Sequence, residues 1–353
     1  MKISIFILFW FFLFLAIPSA NACTTFCLNH DDRPVFGRNF DWQSGYGLII
    51  INKRNVTKTA TSAQRKALPL TWTSKFGSAT FNLFGREFPM GGMNEKGLVV
   101  ESMGLEATQY PLKDQRPPID ENQWIQYQLD NCATINQVIE NDAHLRIYKP
   151  WGMGLHFMVC DSSGDCAVIE FLGNEQVVHT KKNMPIKALT NNSYAHSLES
   201  WTTKTIPQED KYQSIERFIL TADQVKKYTP KSRCSPVQYS FDVLKSVEHS
   251  YPTQWTIVYD VAELAIYFKT LSNQNIRYFR LDSLDLSCKT PVKIMDVNAP
   301  YAGNVVERFQ NYTYKINRKF IQDAYWSSFL VSLFPHHILD SIAHYPETTF
   351  CKE

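Results

Sequence analysis

The apolar pattern of this chain predicts strands near both ends and helices in the middle. One pair of strands is predicted among the helices. Strands are predicted at 23–28, 34–42, 48–51, 81–84, 98–103, 155–160, 166–172, 255–259, 265–268 and 276–281. Helices are predicted at 118–132, from 134 onward, at 207–227 and at 235–247. There is no internal repeat, low-complexity tract or clear linker. This order therefore predicts an α+β domain in which helices cover two sheets.

The composition is that of an ordinary globular protein. Apolar residues make up 44% of the 353 residues and charged residues 20%, which suits one large domain or two small ones. Lys and Arg together number 36, against 34 for Asp and Glu. Because phosphate binding needs clustered positive charge, we expect no nucleic-acid partner.

The N-terminus has the form of a signal peptide at residues 1–22. Lys2 supplies the positive charge, residues 5–17 form an apolar run, Pro18 follows, and residues 20–22 (Ala-Asn-Ala) suit a signal peptidase. The apolar run of about 13 residues is shorter than the ~20 that span a bilayer. We expect cleavage after Ala22, export to the periplasm or the medium, and no membrane span in the mature chain. An uncleaved anchor is the alternative.

The eight cysteines fit an oxidising compartment, which permits disulfides. They lie at 23, 27, 132, 160, 166, 234, 288 and 351. Cys160 and Cys166 flank a turn, which predicts a hairpin disulfide, and the other pairings stay open. If Cys23 is free, at least one other thiol is unpaired within the chain or pairs between chains.

Familiar metal and nucleotide signatures are missing from the sequence. There is no His-Glu-x-x-His motif, no Gly-x-Ser-x-Gly elbow and no complete phosphate-binding or dinucleotide-binding glycine pattern. The cysteine spacing also suits structural zinc poorly. We therefore expect neither a metal nor a cofactor.

Cys23 would become the N-terminal residue after signal cleavage, and this makes it a candidate nucleophile. A free thiol has a pKa of about 8.5, and an α-amino group of about 7.7–8.0 can act as its base. A hairpin would bring Arg38 and Asp41 from the next strand beside Cys23, to favour the thiolate and orient the amine. The alternative is a lipid-anchored or disulfide-rich exported binding protein, in which Cys23 is acylated or oxidised.

Four separated motifs resemble those of the choloylglycine hydrolase family, which includes penicillin V acylases and bile salt hydrolases. The order and spacing agree from residue 23 to about 314. The motifs are residues 23–25 (CTT) with 37–41 (GRNFD), then 92–98 (GMNEKGL), 189–191 (LTN) and 217–218 (RF).

The resemblance implies a four-layer αββα sandwich of the N-terminal nucleophile hydrolase type at 23–316, followed by a C-terminal extension at 317–353. It implies hydrolysis of a linear, non-peptide C–N bond in a small acyl amide, by way of an acyl-thioester, and family members are commonly tetramers. Cys23 would be nucleophile and base, with Arg38 and Asp41 ordering it. Asn191 would donate to the oxyanion, and Arg217 would join the polar network.

One departure concerns the strand after the second motif. Where family members place Asn, Tyr or Trp near the substrate, this chain has Gly104, whose backbone N–H is expected to donate to the oxyanion. The identity of the acyl group and the amine stays open, and an inactive family member is a third hypothesis. His156 and Glu170 are expected to be structural. The apolar segment 326–334 is expected to pack on its own domain, with a partner or membrane surface as the alternative.

Overall fold

The computed structural model describes residues 22–30, 33–61, 69–149, 154–210, 213–229, 234–248, 252–327 and 336–352. The predicted signal peptide, except Ala22, lies outside these residues, as does most of the apolar segment 326–334. None of the helices in the described parts of the chain is both long and apolar enough to cross a bilayer.

The strands and helices of the described residues are numbered here in chain order. The strands are β1 Thr24–His30, β2 Arg33–Asp41, β3 Leu48–Asn52, β4 Val56–Thr59, β5 Thr71–Thr73, β6 Ser78–Asn82, β7 Gly91–Asn94, β8 Val99–Gly104, β9 Pro118–Asp120, β10 Arg146–Tyr148, β11 Leu155–Cys160, β12 Cys166–Leu172, β13 Glu175–Thr180, β14 Ala188–Leu189, β15 Thr253–Asp260, β16 Ala265–Thr270, β17 Arg277–Arg280, β18 Lys293–Asp296, β19 Gly303–Asn304, β20 Gln310–Asn311 and β21 Phe350–Cys351. The helices are α1 Glu121–Asn131, α2 Ile135–Glu140, α3 Tyr194–Thr203, α4 Ser214–Lys227, α5 Pro236–Ser246, α6 Tyr314–Ser327 and α7 His336–His344.

Two large sheets form the centre of the molecule. The first has seven strands in the order β14-β1-β2-β15-β16-β17-β19, and the second has nine in the order β13-β12-β11-β8-β7-β6-β3-β18-β20. The two sheets face each other across one apolar core to which both contribute, with residues such as Phe40 and Tyr259 from the first and Phe81 and Met158 from the second. Burying one face of each sheet in this way is the main stabilising contribution to such a fold.

Helices cover the outer face of each sheet. On the first sheet, α4 packs against β1 and β14, and α5 packs against β2 and β15. On the second sheet, α1 packs against β7 and β8, and α2 packs against β12. The predicted αββα sandwich is therefore confirmed.

Local capping fixes the starts of three helices, and the helix predicted from residue 118 begins at Glu121, after strand β9. Asp120 caps α1, Thr134 caps α2 and Ser235 caps α5, each accepting a hydrogen bond from a backbone N–H of the first turn. The helix predicted at 207–227 instead begins at Ser214, because the carboxylate of Asp210 accepts the N–H groups of residues 215 and 216 at 2.9 and 3.0 Å.

Four of the eight cysteines are paired in the structure. Cys160 and Cys166 form a disulfide across the β11–β12 hairpin, and a second disulfide joins residues 288 and 351. Cys23, Cys27 and Cys132 are buried thiols, and Cys234 is a half-buried one.

The described part of the C-terminal segment packs on the outside of the second sheet. Side chains of α6 and α7, including Phe320, Ile321 and Leu339, form a cluster with Leu48 and Ile294 of β3 and β18. At its end, β21 pairs with β4. Because α6 begins at residue 314, the predicted boundary at 317 lies inside a helix.

Candidate active site

Cys23 directly precedes β1 and is buried between the two large sheets. Side chains alternate along a strand, so Cys23 shares its face with Thr25. The Thr25 hydroxyl lies 3.3 Å from the sulfur of Met103 and 3.3 Å from that of Met158, both of the second sheet. The Cys23 side chain therefore lies on the face of β1 that is turned towards the second sheet.

Arg38 reaches the Cys23 sulfur from the neighbouring strand. The β1–β2 hairpin pairs Thr25 with Arg38, which places both side chains on the same face of the sheet. Nη2 of Arg38 is 3.8 Å from Sγ of Cys23, and Nη1 forms a buried ion pair with Glu101 of β8. The hairpin predicted from the sequence is confirmed, and it sets a guanidinium beside the thiol.

A second buried arginine reaches Cys23 from the helix layer. Arg217 lies in α4, and its Nη1 donates to the carbonyl oxygen of Cys23 at 2.7 Å and to the Thr24 hydroxyl at 2.6 Å. Its Nη2 donates to Oδ1 of Asn191 at 3.0 Å. Arg217 therefore links the backbone of the candidate nucleophile to the candidate oxyanion donor.

Asn191 follows β14, the strand that pairs with β1 on the side away from β2. Its backbone N–H donates to the Ser214 hydroxyl at 2.9 Å, and its Nδ2 donates to the carbonyl oxygen of Gly104 at 2.9 Å. Because Arg217 binds Oδ1, the amide is oriented with its NH2 group towards Gly104. An amide NH2 carries two hydrogens, so it is able to serve a second acceptor.

Asp41 lies at the end of β2 and contacts Cys23 through its backbone. Its N–H hydrogen-bonds to the Cys23 sulfur, and its buried carboxyl group lies near Thr253. Burial raises the pKa of the Asp41 carboxyl to about 7, against the opposing effects of Arg217, Thr253 and Arg38. The site therefore contains a carboxyl group that titrates near neutral pH.

The Cys23 thiol is subject to opposing influences. Burial raises its pKa, and so does the Asp41 carboxylate. The positive charges of Arg38 and Arg217 and the Asp41 N–H act in the other direction. In the full chain the Cys23 nitrogen is a peptide nitrogen, so the structure describes the site before the expected cleavage.

The structure brings all the predicted site residues into one connected cluster. Hydrogen bonds or close contacts join Cys23, Arg38, Asp41, Asn191, Arg217 and Gly104. The elements that supply them are widely separated in the chain, from β1 and β2 to β8, the end of β14, and α4. Their chemical roles stay predictions.

His156 and Glu170 form a buried support behind Asn191. Nε2 of His156 lies 2.8 Å from the carbonyl oxygen of Thr190, and Nδ1 lies 3.1 Å from the Glu170 carboxylate. Burial alone would raise the pKa of Glu170, but the hydrogen bond with His156 and the nearby ring of His179 lower it to about 2. These contacts hold the backbone that carries Asn191, which fits the structural role expected from the sequence.

Sequence reasoning did not single out Glu101 as a site residue. Its signal is a lone acidic residue within an apolar strand, since buried charges in proteins are almost always paired. Ser214 and Thr24, which bind Asn191 and Arg217, carry no comparable signal, because short hydroxyl side chains are common everywhere.

Among the described residues, one group of side chains has the spacing of a metal site. The sulfur atoms of Cys27, Cys160 and Cys166 lie within 4.8 Å of one another. Two of these sulfurs are joined in the hairpin disulfide, and a disulfide sulfur is not the thiolate that binds metal. The group therefore lacks the donors of a metal site in this form.

Asp41 is expected to make stability depend on pH in a chain that begins at Ala22, where the Cys23 nitrogen is still a peptide nitrogen. The Asp41 pKa is about 7 in the folded chain and about 3.9 in an unfolded one. Between these two pH values the folded chain keeps a proton on Asp41 that the unfolded chain has lost. The free energy of unfolding should fall as pH rises through this window, by at most about 1.4 kcal/mol per pH unit. Urea unfolding at pH 5 and pH 8 measures the decrease. Asp41→Asn should lack it, and equal pH dependence in the two proteins would contradict the assignment.

The family comparison gives a match that begins at the candidate nucleophile. Residues 23–233 match the model of the linear amide C–N hydrolases, choloylglycine hydrolase family. This stretch contains every predicted site residue.

Individual relatives agree with the family match. Penicillin V acylase of Pectobacterium atrosepticum is 25% identical over 317 residues, which cover 75% of this chain and 82% of that protein. The structure of penicillin V acylase from Agrobacterium tumefaciens has a TM-score of 0.71 at 25% identity, covering 82% of this chain and 98% of that one. A variant of conjugated bile acid hydrolase from Clostridium perfringens shares the fold, with a TM-score of 0.66 at 20% identity over 80% of this chain and 100% of that one. Because the family match spans more than half of its length, the chain belongs to the choloylglycine hydrolase family of linear amide C–N hydrolases.

Proposed function

We propose that this enzyme is exported and hydrolyses small, linear, non-peptide amides with Cys23 as its mature N-terminal nucleophile. The observation that carries the proposal is the chain of hydrogen bonds from Cys23 through Arg217 to Asn191 and on to Gly104. It gathers a thiol, a guanidinium group and an amide donor around one position, which is the arrangement that acyl transfer requires.

Cleavage between Ala22 and Cys23 supplies the base. A peptide nitrogen is not basic, whereas a free α-amino group has a pKa of about 7.7–8.0. The thiol and its base then belong to one residue, and no histidine is needed. The Asp41 carboxylate interacts electrostatically with Arg217 and Arg38. In this proposal it orients the amine.

The reaction proceeds through an acyl-thioester. The amine takes the thiol proton, and the thiolate attacks the carbonyl carbon of the substrate. The oxyanion accepts hydrogen bonds from the Asn191 NH2, which also binds the Gly104 carbonyl oxygen, and from the Gly104 N–H. The Cys23 ammonium then protonates the departing amine as the C–N bond breaks. Water then attacks the carbonyl carbon of the thioester and gives a proton to the Cys23 amine. The C–S bond breaks, which releases the carboxylic acid, and the Cys23 ammonium returns its proton to the sulfur.

The proposed substrates are penicillin V-like or other N-acyl amides, including bile-acid conjugates. The support is the name of the relatives that are 25% identical, which are penicillin V acylases. Gly104 has no side chain and contributes only backbone groups at a position next to Asn191. In this proposal, any side-chain contact with the acyl group near Gly104 comes from neighbouring residues.

Export to the periplasm or the medium and assembly into homo-oligomers complete the proposal. The predicted signal peptide supports export, and so do the two disulfides, since disulfides persist in oxidising compartments. Oligomer assembly rests on the family resemblance and is tested by light scattering of the mature protein.

A lipid-anchored binding protein is the second candidate function. It would place a diacylglyceryl group on the Cys23 sulfur. That sulfur is buried beside the Arg38 guanidinium and the Asp41 N–H, which leaves it poorly placed to carry a lipid. The polar surroundings of the sulfur therefore favour the hydrolase.

The experiment that tests the proposal has two parts. Intact-mass analysis of the exported protein should give a chain that begins with unmodified Cys23, whereas an added lipid mass would support the second candidate. A hydrolysis screen should then compare phenoxyacetyl amides, bile-acid conjugates and N-acyl lactones, with the Cys23→Ala protein as the blank. Release that depends on Cys23 in at least one class is expected. Its absence in all three would contradict the proposal.

A further inference from the structure

Glu101 is a buried carboxylate that contacts the arginine beside the candidate nucleophile. It lies in β8 of the second sheet, opposite Cys23 in the first, and only 1% of its surface is exposed. One carboxylate oxygen accepts a hydrogen bond from Nη1 of Arg38, and the other accepts one from the Tyr259 hydroxyl at 2.5 Å. Glu101 therefore bridges the two sheets at the level of the candidate site.

A glycine provides the space for this carboxylate. Gly91 of β7 pairs with Glu101 of β8, so the two residues face each other across the strands. A Cβ atom at Gly91 would lie 2.0 Å from a carboxylate oxygen of Glu101, which is closer than any real contact. Any side chain at this position would displace the carboxylate, and this gives Gly91, the residue before the second motif, a local physical reason.

Arg38 lies between Glu101 and Cys23 and contacts both. Nη1 of Arg38 bonds to Glu101 and lies 3.4 Å from the carbonyl oxygen of Met90, and Nη2 points at the Cys23 sulfur. A guanidinium group is planar and rigid. Fixing one of its terminal nitrogens on Glu101 therefore also fixes the direction of the other.

We propose that Glu101 is a positioning residue of amide hydrolysis, which holds the Arg38 guanidinium against the Cys23 sulfur while the Tyr259 hydroxyl fixes the carboxylate. Glu101 acts through Arg38 and does not touch the reacting atoms. The inference rests on the proposed function of Cys23.

Charge balance explains why a carboxylate is suited to this role. The site buries two guanidinium groups, those of Arg38 and Arg217, and an unpaired buried charge is costly. Glu101 offsets the charge of Arg38 from the side away from the sulfur, so the guanidinium remains free to face the thiolate. A neutral partner would leave the charge of Arg38 uncompensated and its guanidinium group less firmly oriented.

A double-mutant cycle tests whether Glu101 acts through Arg38. Glu101→Gln and Arg38→Ala should each lower kcat about tenfold or more while KM changes less than about twofold. The double variant should be no slower than Arg38→Ala alone, because the carboxylate has nothing left to position. Independent, multiplying losses would overturn the proposal.

A second readout does not need turnover, so it separates this proposal from the function of Cys23. Iodoacetamide labelling of the Cys23 peptide, followed by mass spectrometry across pH, reports how readily the thiolate forms. Glu101→Ala should move the half-labelling pH upward, in the direction of Arg38→Ala, because the cation is no longer held at the sulfur. An unchanged labelling profile in Glu101→Ala would overturn the proposal even if the wild-type enzyme is active.

Two further variants keep the test independent of folding damage. Tyr259→Phe removes one hydrogen bond to Glu101 and no charge, and it should give a smaller change in the same direction in both readouts. Asp120→Asn converts another buried carboxyl group into an amide and retains the cap of α1. Helix α1 packs on the outer face of the second sheet, away from Glu101. Asp120→Asn should leave kcat and the labelling profile unchanged. Equal losses in Asp120→Asn and Glu101→Gln would mean a general effect of buried charge and would overturn the proposal.

Discussion

Replacing Cys23 with alanine is expected to lower kcat/KM for the best amide substrate by about 10⁴-fold or more. The change removes the atom that forms the acyl bond but leaves Arg38, Arg217 and Asn191 in place. These groups stabilise charge and cannot themselves become acylated, so only a residual rate should remain. Cys23→Ser should also lose most activity, because a hydroxyl forms its anion far less readily than a thiol at neutral pH. Chromatographic detection of the released amine measures both.

Two controls distinguish the nucleophile from a general need for a buried thiol or a mature terminus. Cys132→Ala removes another buried thiol, whose pKa burial raises to about 12, and it should retain nearly full activity. A chain that begins at Ala22 retains the Cys23 thiol, but its free α-amino group is on Ala22 and the Cys23 nitrogen is in a peptide bond. It should be about as inactive as Cys23→Ala. Full activity in that chain would show that the base lies elsewhere.

The parts of the site that lie close together in the sequence were predictable. Alternation along residues 23–28 and the polar turn after them predict a hairpin, and the structure pairs Thr25 with Arg38. Helix starts were similarly local, since Asp120, Thr134 and Ser235 each cap a helix within a few residues. Family motifs supplied Asn191 and Arg217, which no periodicity identifies.

The parts that depend on contacts between sheets were not predictable. Glu101 meets Arg38 only because the two large sheets pack face to face, and Tyr259 reaches Glu101 from β15, which is 158 residues away in the chain. Helix α3 was also missed, since its Ser, Thr and His residues dilute the apolar period. Tertiary packing, rather than local propensity, decides such features.

Asn191→Ala is expected to lower kcat about 10²- to 10³-fold while KM changes little. The oxyanion exists in the transition state and not in the bound substrate, so losing its donor affects the chemical step more than binding. The structure adds a reason for strict dependence on the amide, because Arg217 binds Oδ1 and directs the NH2 group towards Gly104. Asn191→Asp keeps the shape but replaces the donor with an acceptor, and it should be at least as slow.

The neighbouring residue provides the control for this prediction. Asn192→Ala changes the same residue type in the same loop, and its side chain is half-buried as that of Asn191 is. It should leave kcat within about twofold of wild type, because the hydrogen bonds that define the site come from residue 191. If Asn191→Ala raised KM and left kcat unchanged, Asn191 would bind substrate and not the oxyanion. The charge developed during attack would then have to be stabilised by the Gly104 N–H and the nearby guanidinium groups.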